Sequence, residues 1–138
     1  MRGTTTGRML EAMILPSLDL GGYSYEKQVS IGERPNGSRH IVDVVAKKGQ
    51  RAVLLSLKWQ QVSGTAEQKV PYEVIRLMKA VAESYGKYAR AYIVLGGSGW
   101  TLRDWYVGGG MKKYLAYEHY VSILTLEDFI AQANRGEL

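Results

Sequence analysis

The sequence predicts an α/β fold: a central mixed β-sheet, an antiparallel meander extended by a parallel strand, with helices on its faces. Three observations carry this reading. Three strand-like segments follow one another across two tight turns. Each later strand-like segment is preceded by a helical one, and a helical crossover returns the chain parallel to a neighbour. The resulting order is α-β-β-β-α-β-α-β-α, and the 138 residues show no repeat or low-complexity linker, so residues 1–138 read as one domain.

Residues 7–20 carry Met9, Leu10, Met13 and Ile14 at helical spacing, and Pro16 predicts a kink or an early end. Gly21-Gly22 then breaks the chain. "YSYEKQVSI" alternates as a strand does, and Asn36-Gly37 in "ERPNGSR" is the strongest hairpin signal. "HIVDVVAKK" and "RAVLLSLKWQ" read as two strands around a Lys48-Gly49 turn. "TAEQKVPYEVIRLMKAVAESYG" reads as a long helix opening at Thr65, with Val70, Val74, Leu77, Met78 and Val81 in the 3.6 period and Pro71 fitting best near its start. "RAYIVLGG" is a short buried strand. "TLRDWYVGGGMKKYLAY" reads as a helix broken by three glycines and then a second helix. "VSIL" is the last strand. "TLEDFIAQANRG" is the last helix, with Thr125 as N-cap and Asp128 three residues on.

Composition narrows the chemistry. Cysteine is absent, which removes disulfides and thiolate metal sites and fits an intracellular, cytoplasmic protein. His40 and His119 are the two histidines, too few for a His-rich zinc centre. No apolar run reaches the length of a membrane span. "MRGTTTGRMLEAMILPSL" carries Glu11 within its apolar stretch and lacks a small-residue cleavage site, so it does not read as a signal peptide. The net charge of +5 favours a polyanionic partner.

The chemistry concentrates in "VDVVAKKGQRAVLLSLKWQQ", residues 42–61. Asp43 lies in one apolar strand and Lys58 in the next. Charges in such strands are costly unless paired or bound to a metal. Ser56, Lys58 and Gln60 are spaced two apart, so a strand presents them on one face.

A helix with an inward glutamate, a strand with an aspartate, a hairpin, a strand ending x-x-Lys and a long helix resembles the core of the PD-(D/E)XK nucleases, whose fold is restriction-endonuclease-like. The resemblance runs over about residues 7–95. It makes Asp43 the first metal-binding acid and Ser56-Leu57-Lys58 the (D/E)XK tripeptide, with twelve residues between Asp43 and Ser56. "GRMLEAMILPSLDLGGYSYEKQV" resembles the opening of archaeal Holliday-junction resolvases, with Glu11 on the helical glutamate. "QKVPY", Gln68 to Tyr72, resembles the Gln-x-x-x-Tyr motif of RecB-like nucleases. Two positions depart from the pattern. Val42 replaces the usual proline, and Ser56 replaces an acid. Some restriction enzymes of this family carry Ser-x-Lys and take the acid from the following helix. Glu67 can supply it; Glu73 is the poorer candidate; Glu11 is the other source.

The resemblance implies a DNA endonuclease, restriction-like or acting in repair or on junctions. It would use Mg2+ or Mn2+ in a prokaryotic or phage-like setting. The implied site is Asp43, Lys58, Glu11, Ser56 and Gln60, with metal on Asp43 and on Glu11 or Glu67. Mg2+ suits such a set, because one or two carboxylates hold it beside water and phosphate oxygens. Lys47, Lys48, Arg51 and Gln68 are candidate DNA contacts, with Arg34 and Arg39 on neighbouring turns. Cutting a duplex with one site per chain implies a homodimer. The alternative is a non-catalytic DNA-binding module that keeps the fold and has lost the acid at Ser56. "GGSGW" lacks the pattern of a phosphate loop and reads as a flexible loop. "MKKYLAYEHY" reads as an amphipathic surface that could meet DNA.

Overall fold

The computed structural model describes residues 5–64 and 66–138. Thr65, where the long helix is expected to open, lies outside the described residues, as do residues 1–4 at the start of the segment weighed as a leader. The elements run α1 (Thr5–Leu20), β1 (Ser24–Glu33), β2 (Arg39–Lys48), β3 (Arg51–Trp59), α2 (Ala66–Ala82), β4 (Arg90–Gly96), α3 (Arg103–Val107), β5 (Val121–Thr125) and α4 (Leu126–Asn134). The sheet order is β1-β2-β3-β4-β5. The first two pairings are antiparallel and the last two parallel. This is the mixed sheet expected from the order of elements.

Turn chemistry sets the meander. Gly37 has φ of +86° and follows Asn36, whose Oδ1 accepts from the Ser38 N–H. Gly49, at φ +62°, lies in the two-residue link between the paired Lys48 and Arg51. Both turns need backbone angles that glycine adopts without cost.

The sheet has a packed layer on each face. Ile14 and Leu18 of α1 and Phe129 and Ala133 of α4 pack against Val44, Val53, Leu55 and Val94. On the opposite face Val70, Val74, Leu77 and Val81 of α2 pack against Leu54, Ala91 and Ile93, with Tyr106 and Met111 beside them. Leu54 and Leu55 therefore point opposite ways, and Ser56 and Lys58 continue the Leu54 side, facing α2. Among the described residues no helix is long and apolar enough to cross a membrane.

Three elements differ from the sequence reading. Helix α1 continues through Pro16 to Leu20. Pro16 lies on the exposed side, where water can take the carbonyl its missing N–H leaves open. Pro71 sits well inside α2, not near its start. The Glu67 carbonyl, which an N–H at position 71 would satisfy, instead accepts the Tyr106 hydroxyl at 2.6 Å. The third is "MKKYLAY": it forms no α-helix, only a 3₁₀ turn over Lys112–Tyr114, and a second such turn follows it at Glu118–Tyr120. Leu115 turns extended, at φ −123° and ψ 137°, and ends the first of them. At the last helix the expectation holds, because Thr125 Oγ1 accepts from the Asp128 N–H at 3.1 Å.

Candidate active site

The site forms where β2 and β3 part. Their paired register ends at Val44–Leu55. Beyond it the Leu57 N–H donates to the Asp43 carboxylate at 2.7 Å, so a side chain takes over from the backbone ladder. Asp43 is 7% exposed. Its place at the edge of a dividing strand pair lets a carboxylate satisfy a backbone donor while staying beside the next strand's polar residues.

Those residues are Ser56 and Lys58, and α2 brings a partner to both. The buried Ser56 hydroxyl donates to the carboxylate of Glu73, which is 2% exposed. The Lys58 Nζ lies 4.0 Å from the same carboxylate oxygen, with 22% of its side chain exposed. The other oxygen of Glu73 pairs with the buried guanidinium of Arg76. The Tyr72 ring lies 5.5 Å from that guanidinium. A carboxylate this deep is tolerable because hydroxyl and cationic partners surround it.

The structure reverses the expected order of the two helical acids. Glu67 does not reach Ser56 or Lys58. Its carboxylate accepts from the Thr101 hydroxyl at 2.6 Å and the Leu102 N–H at 2.7 Å. These bonds, the hydroxyl's first, hold its carboxyl below the ordinary carboxylate range. The reason is helical geometry. Six residues apart, the two acids sit about 9 Å apart along α2 and about 120° apart around it. They fall on opposite margins of the apolar stripe: Glu67 faces the loop after β4, and Glu73 faces Ser56.

The other expected residues scatter. Glu11 is half-buried on α1 and accepts from Gln28 Nε2 at 3.3 Å. Gln28 sits between the register pairs Lys27–Val44 and Val29–Val42, so it lies across from Asp43 on β1. It holds φ at +55°, which is uncommon for a residue with a side chain. Gln60 is buried, donates to the Gly99 carbonyl at 2.7 Å, and ties the strand end to the loop after β4. That loop, "GGSGW", is closely packed where the sequence suggests flexibility: a Cβ on Gly97 would lie 2.4 Å from the Gln60 carbonyl oxygen. Gln68 is exposed on α2.

Lys47, Lys48 and Arg51 are exposed at the β2–β3 hairpin. Arg51 lies seven positions before Lys58 along β3, about 23 Å away. Lys48 Nζ donates to the Gly136 carbonyl at 3.5 Å, and Arg51 Nε to the Leu138 carbonyl at 2.7 Å. These cations belong to the far end of the sheet and do not join the site.

Glu73, Arg76 and Gln28 are the residues that sequence reasoning undervalued or passed over. A signal existed for Glu73. It lies three residues after Val70 and four before Leu77, on the margin of a buried stripe, where a lone carboxylate needs a reason.

A divalent ion is what this fold implies, and the donors suit one. Glu73 takes the Ser56 hydroxyl and Asp43 the N–H of the next residue, Leu57, so two hard carboxylates attach to neighbouring positions of β3 with Lys58 adjoining, and Mg2+ can take one or two such ligands and complete its shell with water and phosphate. Among the described residues no cluster of three or more His, Asp or Glu forms a protein-only cage.

The chain matches the family model of a PD-(D/E)XK nuclease superfamily domain over residues 2–137. No curated protein matches it in sequence. Among solved structures it is similar to a crystal structure described as a protein of unknown function, AF1548, with a TM-score of 0.54 and 13% identity. That match covers 84% of this chain and 56% of the other protein, and it speaks for the fold alone. The chain belongs to the PD-(D/E)XK nuclease superfamily.

Proposed function

We propose that this member of the superfamily is a DNA endonuclease dependent on Mg2+ or Mn2+. One observation carries the reading: Ser56 and Lys58 converge on the Glu73 carboxylate, and Leu57 between them donates its N–H to Asp43. The acid missing from the Ser-x-Lys tripeptide is thus supplied from the following helix.

In this reading Asp43 and Glu73 hold the metal, with Glu11 on the β1 side through Gln28. When bound, the ion supplies Lewis-acid polarisation of the phosphate and a more acidic water. The Ser56 hydroxyl orients the Glu73 carboxylate. Lys58, partly exposed beside Glu73, orients the attacking water and offsets charge developing on the phosphate oxygens. The water oxygen bonds to phosphorus as the bond to the leaving oxygen breaks, giving a phosphomonoester and an alcohol. Cutting both strands of a duplex takes two such sites, and a homodimer with two-fold symmetry provides them.

The test is cleavage of plasmid, linear, branched and single-stranded DNA with Mg2+ and Mn2+. Wild type runs beside Asp43→Ala, Lys58→Ala and Glu73→Gln. Each substitution is expected to lower the rate by at least about a hundredfold, while Glu67→Gln stays near wild type. Wild-type protein that shifts DNA in a gel and cuts none of it would instead be the non-catalytic binding module. Sedimentation of the protein with and without a DNA duplex tests the dimer.

A further inference from the structure

The metal reading leaves Arg76 unexplained. Its side chain is 7% exposed, and its guanidinium holds one oxygen of Glu73 while Ser56 and Lys58 take the other. Both oxygens of the proposed metal carboxylate are therefore engaged by donors of the chain itself. Asp43 and Glu73 carry two negative charges, and Lys58 and Arg76 carry two positive ones. These four formal charges cancel, and Glu11 on the β1 side is the remaining acid of the proposed site. A divalent cation gains little from a site whose carboxylates are already neutralised, and it competes with Arg76 for the same oxygen.

We propose that Arg76 is a resident counter-cation that gates metal entry: it holds Glu73 aimed at Ser56 and must yield one carboxylate oxygen when a divalent ion binds. The proposal rests on the metal-dependent reading above. It makes Arg76 a positioning residue that acts through Glu73. It explains a buried arginine beside the one acid on α2 that reaches Ser56, where two cations meet a single carboxylate. It also makes metal loading weak in the protein alone and stronger once a DNA phosphate adds negative charge, a positive coupling between the two ligands.

The experiment titrates Mn2+ and Mg2+ by calorimetry into wild type, Arg76→Gln and Arg76→Lys. Arg76→Gln is expected to bind Mn2+ at least about tenfold more tightly, since removing a nearby positive charge has about that effect on a divalent ion even at the dielectric of water. Arg76→Lys, which keeps the charge, is expected within about twofold of wild type. A folded Arg76→Gln, verified by circular dichroism, that binds Mn2+ no more tightly than wild type overturns the proposal. A second measurement stays on the wild-type chain. The 15N resonance of Arg76 Nε, assigned by its loss in Arg76→Lys, is expected to shift and exchange faster with water at saturating Mg2+. An unchanged resonance at saturation overturns the gate even where the glutamine variant does not fold. Wild type that binds neither ion and cuts no DNA overturns the metal-dependent reading, and the gate with it. Metal binding and cleavage that are indifferent to Arg76 overturn the gate alone.

Discussion

Glu73 and Glu67 are the same residue type on one helix, and their neighbours give them opposite work. Glu73 is buried against Ser56, Lys58 and Arg76, at the centre of the proposed site. Glu67 clamps the loop after β4 through Thr101 and Leu102. Its hydrogen bonds set a pH signature. The folded carboxyl titrates below its ordinary value of 4.5, so it stabilises the fold above that pH. The contribution is lost as pH falls through the lower folded value. Glu67→Gln is therefore expected to melt below wild type at neutral pH, with the gap closing in acid. Thermal melts at a series of pH values check this, and a gap that widens in acid would contradict it.

At the scale of elements, α2 is joined to the crossover after β4 by an exchange of missing and supplied donors. Pro71 removes an N–H from the middle of the helix, and Tyr106 of α3 supplies a hydroxyl to the Glu67 carbonyl left over. Burial pushes the Tyr106 phenol above its ordinary range, so at neutral pH it remains a donor. Tyr106→Phe is expected to cost about 1–3 kcal/mol by leaving a buried carbonyl unsatisfied. In a Pro71→Ala background the helix can satisfy that carbonyl itself, so the same substitution is expected to cost much less. Denaturant melts of the four proteins give the coupling, and strictly additive losses would show that Pro71 and Tyr106 are independent. The loop after β4 makes a second element-level prediction. Gly97 has φ of +89° and passes against Gln60, so Gly97→Ala combines an unfavourable backbone with a clash. A loss of about 2 kcal/mol or more in the same melts is the expected outcome.

For the whole molecule, the proposed function and a net charge of +5 together predict a DNA affinity that is electrostatic in large part. The logarithm of the binding constant is expected to fall with the logarithm of salt at a slope of about −3 or steeper, each phosphate contact contributing about −0.9. Fluorescence anisotropy across salt concentrations measures the slope. Neutralising Lys48 or Arg51 should leave it nearly unchanged, because both are tied to Gly136 and Leu138 at the end of the sheet away from Lys58. The same separation makes the site a local feature of the strand ends and α2.

Much of this was legible in the chain itself. The period of two placed Ser56 and Lys58 on one face, because strand geometry is local. Gly37, Gly49 and Thr125 marked their turns and cap through backbone demands that act within a few residues. The order of segments was enough for a mixed sheet, since a helical crossover returns a strand parallel. The donor to the Glu67 carbonyl came from Tyr106, 39 positions away. No pattern of residues along α2 could show that a distant hydroxyl would replace the N–H that Pro71 lacks. The choice between Glu67 and Glu73 was of the same kind. Both border the apolar stripe of α2, and the stripe says only that the helix packs. Which border meets β3 depends on how the helix lies across the sheet, and tertiary packing alone decides that.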